Sequence, residues 1–119
     1  MSTLRVNTLQ NTAGTGQPAM VGAAKAWVNF NGTGTVAIRA AFNVSSITDV
    51  GTGNYTVNFT VAMVDINYAA AVTAGNGTND IYSTAPYSAD PTVSALRVTT
   101  LLGSRAQVDC STVSVIIFR

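Results

Sequence analysis

Residues 54–61, Asn-Tyr-Thr-Val-Asn-Phe-Thr-Val, alternate without a break. Tyr55, Val57, Phe59 and Val61 share one face, and Asn54, Thr56, Asn58 and Thr60 share the other. A period of two belongs to an antiparallel strand with one face in a core and one in water. Wound into a helix, the same residues would scatter their apolar groups around the axis. This segment is therefore a strand, and the chain around it is written in the same style. Thr and Ala are commonest, then Val, Asn and Gly; glutamate is absent and Lys25 is the sole lysine. The polar residues that sustain helices are missing, while strand and turn formers abound. Short alternating runs separated by Gly, Asn, Asp and Pro read as an all-β fold, an antiparallel β-sandwich.

The strands place themselves from the punctuation. Residues 25–31 (KAWVNFN) turn at Gly32-Thr33-Gly34 into 35–42, followed by 43–48 and then 54–61. Residues 66–74 and 92–102 read as further strands; Ala69 to Ala71 suit a helix too, but the Tyr, Val and Thr around them favour a strand. From Val113 to Phe118 the last strand is apolar on both faces, so it asks for cover by a core on one side and by something else on the other. A neighbouring subunit is a natural candidate. The first 21 residues differ: Leu4, Val6 and Leu9 are their few apolar anchors, too few to pack alone. The expected organisation is an extended N-terminal docking arm, 1–21, and a sandwich domain, 22–119.

The segment 47–59, ITDVGTGNYTVNF, carries a glycine pair with the look of a ligand loop. It fails each template. No third glycine stands at dinucleotide-binding spacing, no Gly-Lys-Ser/Thr closes a phosphate loop, and no acidic residue closes a calcium loop. Asp49, Gly51, Gly53 and Asn54 are what a hairpin connection needs. We read a turn.

The chain has no histidine, so Ser-His triads and ordinary zinc sites are unavailable. Five aspartates are its only acidic side chains, Asp49, Asp65, Asp80, Asp90 and Asp109. Of these, Asp80 and Asp90 share a segment, where aspartates are usually turn residues. The expectation is no enzyme, no cofactor and no metal. A net charge of +1 offers no basic field to nucleic acid or to an anionic membrane. No stretch reaches 18 apolar residues and the start lacks a leader pattern, so neither membrane insertion nor secretion by a leader is expected. The single cysteine, Cys110, cannot form an intrachain disulfide. Only 9% of residues are charged while 47% are hydrophobic. Uncharged polar groups must solvate the surface, and part of it is expected to be buried against other subunits.

Five Asn-x-Ser/Thr triplets begin at Asn31, Asn43, Asn54, Asn58 and Asn76; in a chain so rich in Asn and Thr we read them as coincidence rather than as glycosylation sites. Trp27 with Phe30 is a candidate sugar-stacking platform, although a tryptophan beside Val28 on an early strand is more often core or interface. Residues 74–91 are long, irregular in pattern and rich in small polar residues. Tyr82 and Tyr87 offer flat faces, while Asn76, Asn79, Asp80 and Asp90 offer hydrogen bonds, a composition suited to glycan or receptor contact. A surface crossover with its tyrosines packed inward is the competing reading.

Over 24–63 the chain resembles the C-terminal module of bacteriophage tail-fibre proteins, notably those of phages of cyanobacteria and related marine hosts. The resemblance rests on Lys-Ala-Trp-Val-Asn-Phe-Asn-Gly-Thr-Gly-Thr-Val (25–36), Phe-Asn-Val-Ser-Ser-Ile-Thr-Asp (42–49) and Gly-Thr-Gly-Asn-Tyr-Thr-Val-Asn-Phe (51–59). It continues more loosely through Asn67-Tyr68, residues 85–88 and the 113–119 ending. Residues 4–11 are similar to the segment that often opens such fibres. The resemblance implies a virion protein, a homotrimer held to other virion proteins through its arm. It further implies a short tail fibre that meets the host surface, with a cell-surface glycan as receptor. The alternative is a purely structural baseplate, tail-tip or head-decoration subunit that binds only virion proteins.

Overall fold

The computed structural model describes residues 2–3, 23–77 and 91–119, together with the backbone of 82–86. The expected arm anchors Leu4, Val6 and Leu9 lie outside the described residues, as do Asn79, Asp80, Tyr87 and Asp90. Eight strands form the fold: β1 (Ala24–Asn31), β2 (Ala37–Phe42), β3 (Val44–Gly51), β4 (Asn54–Phe59), β5 (Ala69–Gly75), β6 (Tyr82–Pro86), β7 (Ala95–Leu102) and β8 (Thr112–Phe118). They make two four-stranded sheets, ordered β2-β1-β8-β5 and β3-β4-β7-β6, with every pairing antiparallel. The all-β sandwich read from the alternation is what the chain adopts.

Alternation sets which side chains fill the space between the sheets. Ala26, Val28 and Phe30 of β1, Val113, Val115 and Ile117 of β8, Tyr55, Val57 and Phe59 of β4, and Leu96 and Val98 of β7 are all buried. Phe30 meets Tyr55 edge to face across the sheets, with ring centroids 5.1 Å apart, and Phe59 meets Tyr68 in the same way at 5.8 Å. One face of β8 thus supplies core, while Ile116 and Phe118 on its other face stay about two-fifths exposed.

Antiparallel order gives the sandwich two distinct ends. At one, the turn end, lie the β1–β2, β3–β4, β5–β6 and β7–β8 connections. At the other, the entry end, the chain comes in at β1, crosses between sheets at Asn43 and through 60–68, and runs out at Arg119. Asn43 holds the crossover in a left-handed conformation, φ 55°. Its amide nitrogen donates to the carbonyls of Lys25 and Val61, both at 3.1 Å, and its Oδ1 accepts the Val61 N–H at 2.7 Å.

Three expectations change at this level. The alternation of 54–61 overruns its strand: β4 stops at Phe59, because Asn43 draws the Thr60 and Val61 backbone out of the ladder, and Val61 is exposed rather than core. The 92–102 strand starts at Ala95, since the Thr92 hydroxyl accepts the N–H groups of Ser94 and Ala95 in a tight turn. Residues 74–91 are not one irregular stretch. Strand β6 runs through them on the edge of its sheet, where Pro86 can end a strand without leaving a central ladder bond unmade.

The 60–68 connection is anchored at its far side by a two-bond ion pair, Arg119 Nε and Nη2 donating to Asp65 Oδ1 and Oδ2 at 2.8 and 2.6 Å. The Arg119 hydrogen bonds, helped by the Asn67 N–H, lower the Asp65 pKa to about 2. A depressed carboxyl pKa means that the pair contributes stability above the unfolded value near 4, and that the contribution is lost as pH falls through 2. Carboxyl-detected NMR should find the Asp65 midpoint near 2 in the native protein. Arg119→Ala should return it towards the ordinary carboxylate range; an unmoved midpoint would contradict the pairing.

Candidate functional site

The turn end is organised around Asp109. Its Oδ1 accepts the Gly53 N–H at 2.7 Å and lies 3.0 Å from the Tyr55 hydroxyl, which is also 3.0 Å from the Gly32 carbonyl. Burial, then the hydrogen bond to Asp109 and its charge, push the Tyr55 phenol well above its usual range. Both glycines are required by close approach. A Cβ on Gly32 would lie 2.4 Å from the Tyr55 hydroxyl, and one on Gly53, at φ +66°, would meet the Thr100 carbonyl at 2.6 Å. The segment around Asp109 is further tied to both sheets. Gly32 N–H donates to the Cys110 carbonyl, Val108 N–H to the Thr100 carbonyl and Thr100 N–H to the Gly53 carbonyl. Cys110 is buried here, and that burial raises its thiol pKa.

Asn76, expected to contact a receptor, sits in this network. Its Nδ2 donates to the Asp109 carbonyl at 3.0 Å, and its Oδ1 accepts the Ser111 N–H. Its amide thus fastens the end of β5 to the segment leading into β8. Tyr82 begins β6 opposite Leu102, at the turn end. Pro86 lies opposite Val98, farther towards the entry end, so β6 separates the stretch before Tyr82 from the one after Pro86. The structure brings Asn76 and the start of β6 to one end, and it describes neither the Tyr82 side chain nor the other four candidates.

All five asparagines of the Asn-x-Ser/Thr triplets have structural work. Asn31 Oδ1 caps the Thr33 N–H and hydroxyl at 3.0 and 2.7 Å. Asn43 and Asn76 hold crossovers, Asn54 accepts the Thr99 hydroxyl at 3.0 Å, and Asn58 donates to Ser46 Oγ and Thr48 Oγ1. Asn31 bonds Thr33 within its own triplet in an Asx turn, whereas Asn54 and Asn58 reach Thr99, Ser46 and Thr48 across strands. The described aspartates are likewise engaged locally: Asp49 Oδ1 accepts the Gly51 N–H at 3.2 Å in the β3–β4 turn, Asp65 pairs with Arg119, and Asp109 holds the turn end.

Trp27 and Phe30 do not form a platform. They lie three positions apart on a strand, so they point to opposite faces: Phe30 is wholly buried and Trp27 is 39% exposed on the outer face. What sequence reading missed is the row across that face. Register places Phe42, Trp27, Ile116 and Ala71 side by side on β2, β1, β8 and β5.

No protein-family model matches the chain, and no curated protein matches it. Among solved structures it is similar to the phiAB6 tailspike, solved in complex with three-repeated oligosaccharides of Acinetobacter baumannii surface polysaccharide. The TM-score is 0.56 at 16% identity, over 81% of this chain and 20% of that one. The likeness is one of fold, and the chain spans about a fifth of the tailspike's length.

The Asp109 network generates a quantitative expectation. Asp109→Ala removes the acceptor of the Gly53 N–H and leaves the Tyr55 hydroxyl only the Gly32 carbonyl, and should cost about 1–3 kcal/mol in urea unfolding. Asp109→Asn keeps a carbonyl oxygen in place and should cost less than half as much. Equal losses for the two variants would contradict the bridging role of this carboxylate.

Proposed function

We propose that this chain is a phage virion protein, the terminal module of a short tail fibre, which attaches the particle to a glycan of the host cell surface as a homotrimer. The observation that carries the reading is the fold shared with part of a phage tailspike whose solved complex holds host-surface oligosaccharides. The resemblance over 24–63 to tail-fibre C-terminal modules supports the finer assignment. The chain acts by binding, not catalysis, a reading supported by the absence of histidine and by the structural engagement of Asp49, Asp65 and Asp109.

Recognition belongs at the turn end and the segments flanking β6. Single sugar contacts are weak, and three linked copies raise apparent affinity through effective concentration. Tyr82 and Tyr87 supply flat faces for sugar C–H groups, with Asn79, Asp80 and Asp90 as hydrogen-bonding partners. Asn76 anchors the start of the β5–β6 connection through its bonds to 109–111. The purified protein should compete with particles for adsorption to host cells. Tyr82→Ala with Tyr87→Ala should weaken that competition at least about tenfold while leaving assembly intact. Unchanged competition removes these tyrosines from the contact. If the unaltered protein never competes, the structural-subunit reading, a baseplate, tail-tip or head-decoration protein, replaces this one.

The arm, 1–21, docks the domain onto other virion proteins through Leu4, Val6 and Leu9. Deleting 1–21 should leave the far-ultraviolet spectrum of the β-domain intact and abolish incorporation into particles. Normal incorporation would refute the docking role.

A further inference from the structure

The two outer faces of this sandwich are dressed differently. On the β3-β4-β7-β6 sheet, Ser46 lies opposite Asn58 and Thr48 opposite Thr56, and Asn58 bonds both Ser46 and Thr48. Hydroxyls and amides, with Arg97 opposite Thr56, clothe the described part of that face. On the β2-β1-β8-β5 sheet the half near the turn end is polar too, with Asn29 Nδ2 donating to Ser114 Oγ at 2.8 Å. The half near the entry end is not. There the uncharged row Phe42–Trp27–Ile116–Ala71 adjoins Phe118, and Trp27, Phe42, Ile116 and Phe118 are each about 40% exposed.

The apolar surface does not stop at the sheet. Asn43 fastens Val61 beside Phe42, and the Asp65–Arg119 pair fastens the other side of the same connection beside Phe118. Between these clamps Val61, Val64 and Ile66 are exposed, Val64 to 83%. Met63 N–H bonds the Val93 carbonyl, which brings a further exposed valine to this end.

We infer that this entry-end surface, Phe42, Trp27, Ile116 and Phe118 continued by Val61 and Val64, is where copies of this chain pack against one another. The inference rests on the oligomeric part of the proposed function and names its interface. At their fractional exposures, and with the usual full areas of such side chains, the eight large residues show on the order of 700 Å². A stable interface buries about 800 Å² per partner, and monomers seldom show apolar patches beyond a few hundred Å².

A glycan is the poorer occupant. Sugar sites add converging donors and acceptors to an aromatic face. Of the polar groups around it, Asn29 is turned on Ser114, Arg39 Nη2 on the Ser111 carbonyl at 2.6 Å, and Asp65 and Arg119 on each other, while Lys25 stands two positions from Trp27 on β1. The apolar row carries no charge to select an unlike partner by sign, whereas apolar surfaces of one shape chemistry can meet their own copies. Ala24 lies opposite Phe118, so β1 begins and β8 finishes at this same end of the sandwich.

The test is light scattering after gel filtration on the unaltered protein and on Ile116→Asp, Val64→Asp and, as a control on the other sheet, Thr56→Asp. The unaltered protein and the control should be oligomers. Ile116→Asp and Val64→Asp should be folded monomers, with the dissociation constant raised at least about a hundredfold by an unpaired carboxylate in an apolar interface. Should Ile116→Asp fail to fold, Val64→Asp decides, because Val64 lies outside every strand. If the unaltered protein assembles and the folded variants assemble equally well, the surface is wrongly placed although the oligomer stands. If the unaltered protein is a monomer, both are overturned.

Discussion

One carboxylate oxygen holds the turn end together. Asp109 Oδ1 accepts from the Gly53 backbone in the β3–β4 turn and lies within hydrogen-bonding distance of Tyr55, whose hydroxyl also reaches Gly32 in the β1–β2 turn. The two hairpins belong to different sheets. Without this bridge, apolar packing between sheets would fix their separation but not the mutual position of their turns. The requirement reaches back into the sequence. Gly32 and Gly53 are the residues a Cβ would displace from the contact, and Tyr55 sits at 0% exposure because its hydroxyl has partners there. Asn76 and Thr100 then attach β5 and β7 to the same 108–111 segment.

The opposite end is built on another logic. Asn43 and the Asp65–Arg119 pair position a connection without covering it, and valines, isoleucine and phenylalanine face outward around them. A sandwich with one end knotted by polar groups and the other left apolar is a directional object. In the proposed assembly the apolar end joins the copies, and the polar end is presented to the outside.

Much of the fold was legible because alternation is a geometric necessity of strands. The face Tyr55–Val57–Phe59 and the turns at 32–34 and 51–53 follow from period two and from glycine, whereas on β8 period two groups Val113, Val115 and Ile117 without saying that theirs is the inward face. The misses have physical causes as well. Val61 continues the alternation, but a side-chain amide 18 residues away ends the strand first. Strand β6 has too short and small-residued a sequence to announce itself, and it forms because β7 offers an edge. The role of Asp109 is invisible because its partners lie 54 and 56 residues away. The Trp27 row is likewise a product of register, since Phe42, Trp27 and Ile116 become neighbours only after three strands align. Of the candidate contact residues, Asn76 read as a surface ligand and proved a tether, because its amide reaches two backbone groups at once.

Trp27 is the sole tryptophan of the chain and lies at the middle of the apolar row. Acrylamide quenching of its fluorescence therefore reads the central claim directly. If the entry end is the assembly surface, Trp27 should be shielded at concentrations where the protein is associated and become quenchable as dilution separates the copies. A tryptophan quenched as readily in concentrated as in dilute protein would contradict assembly through this end.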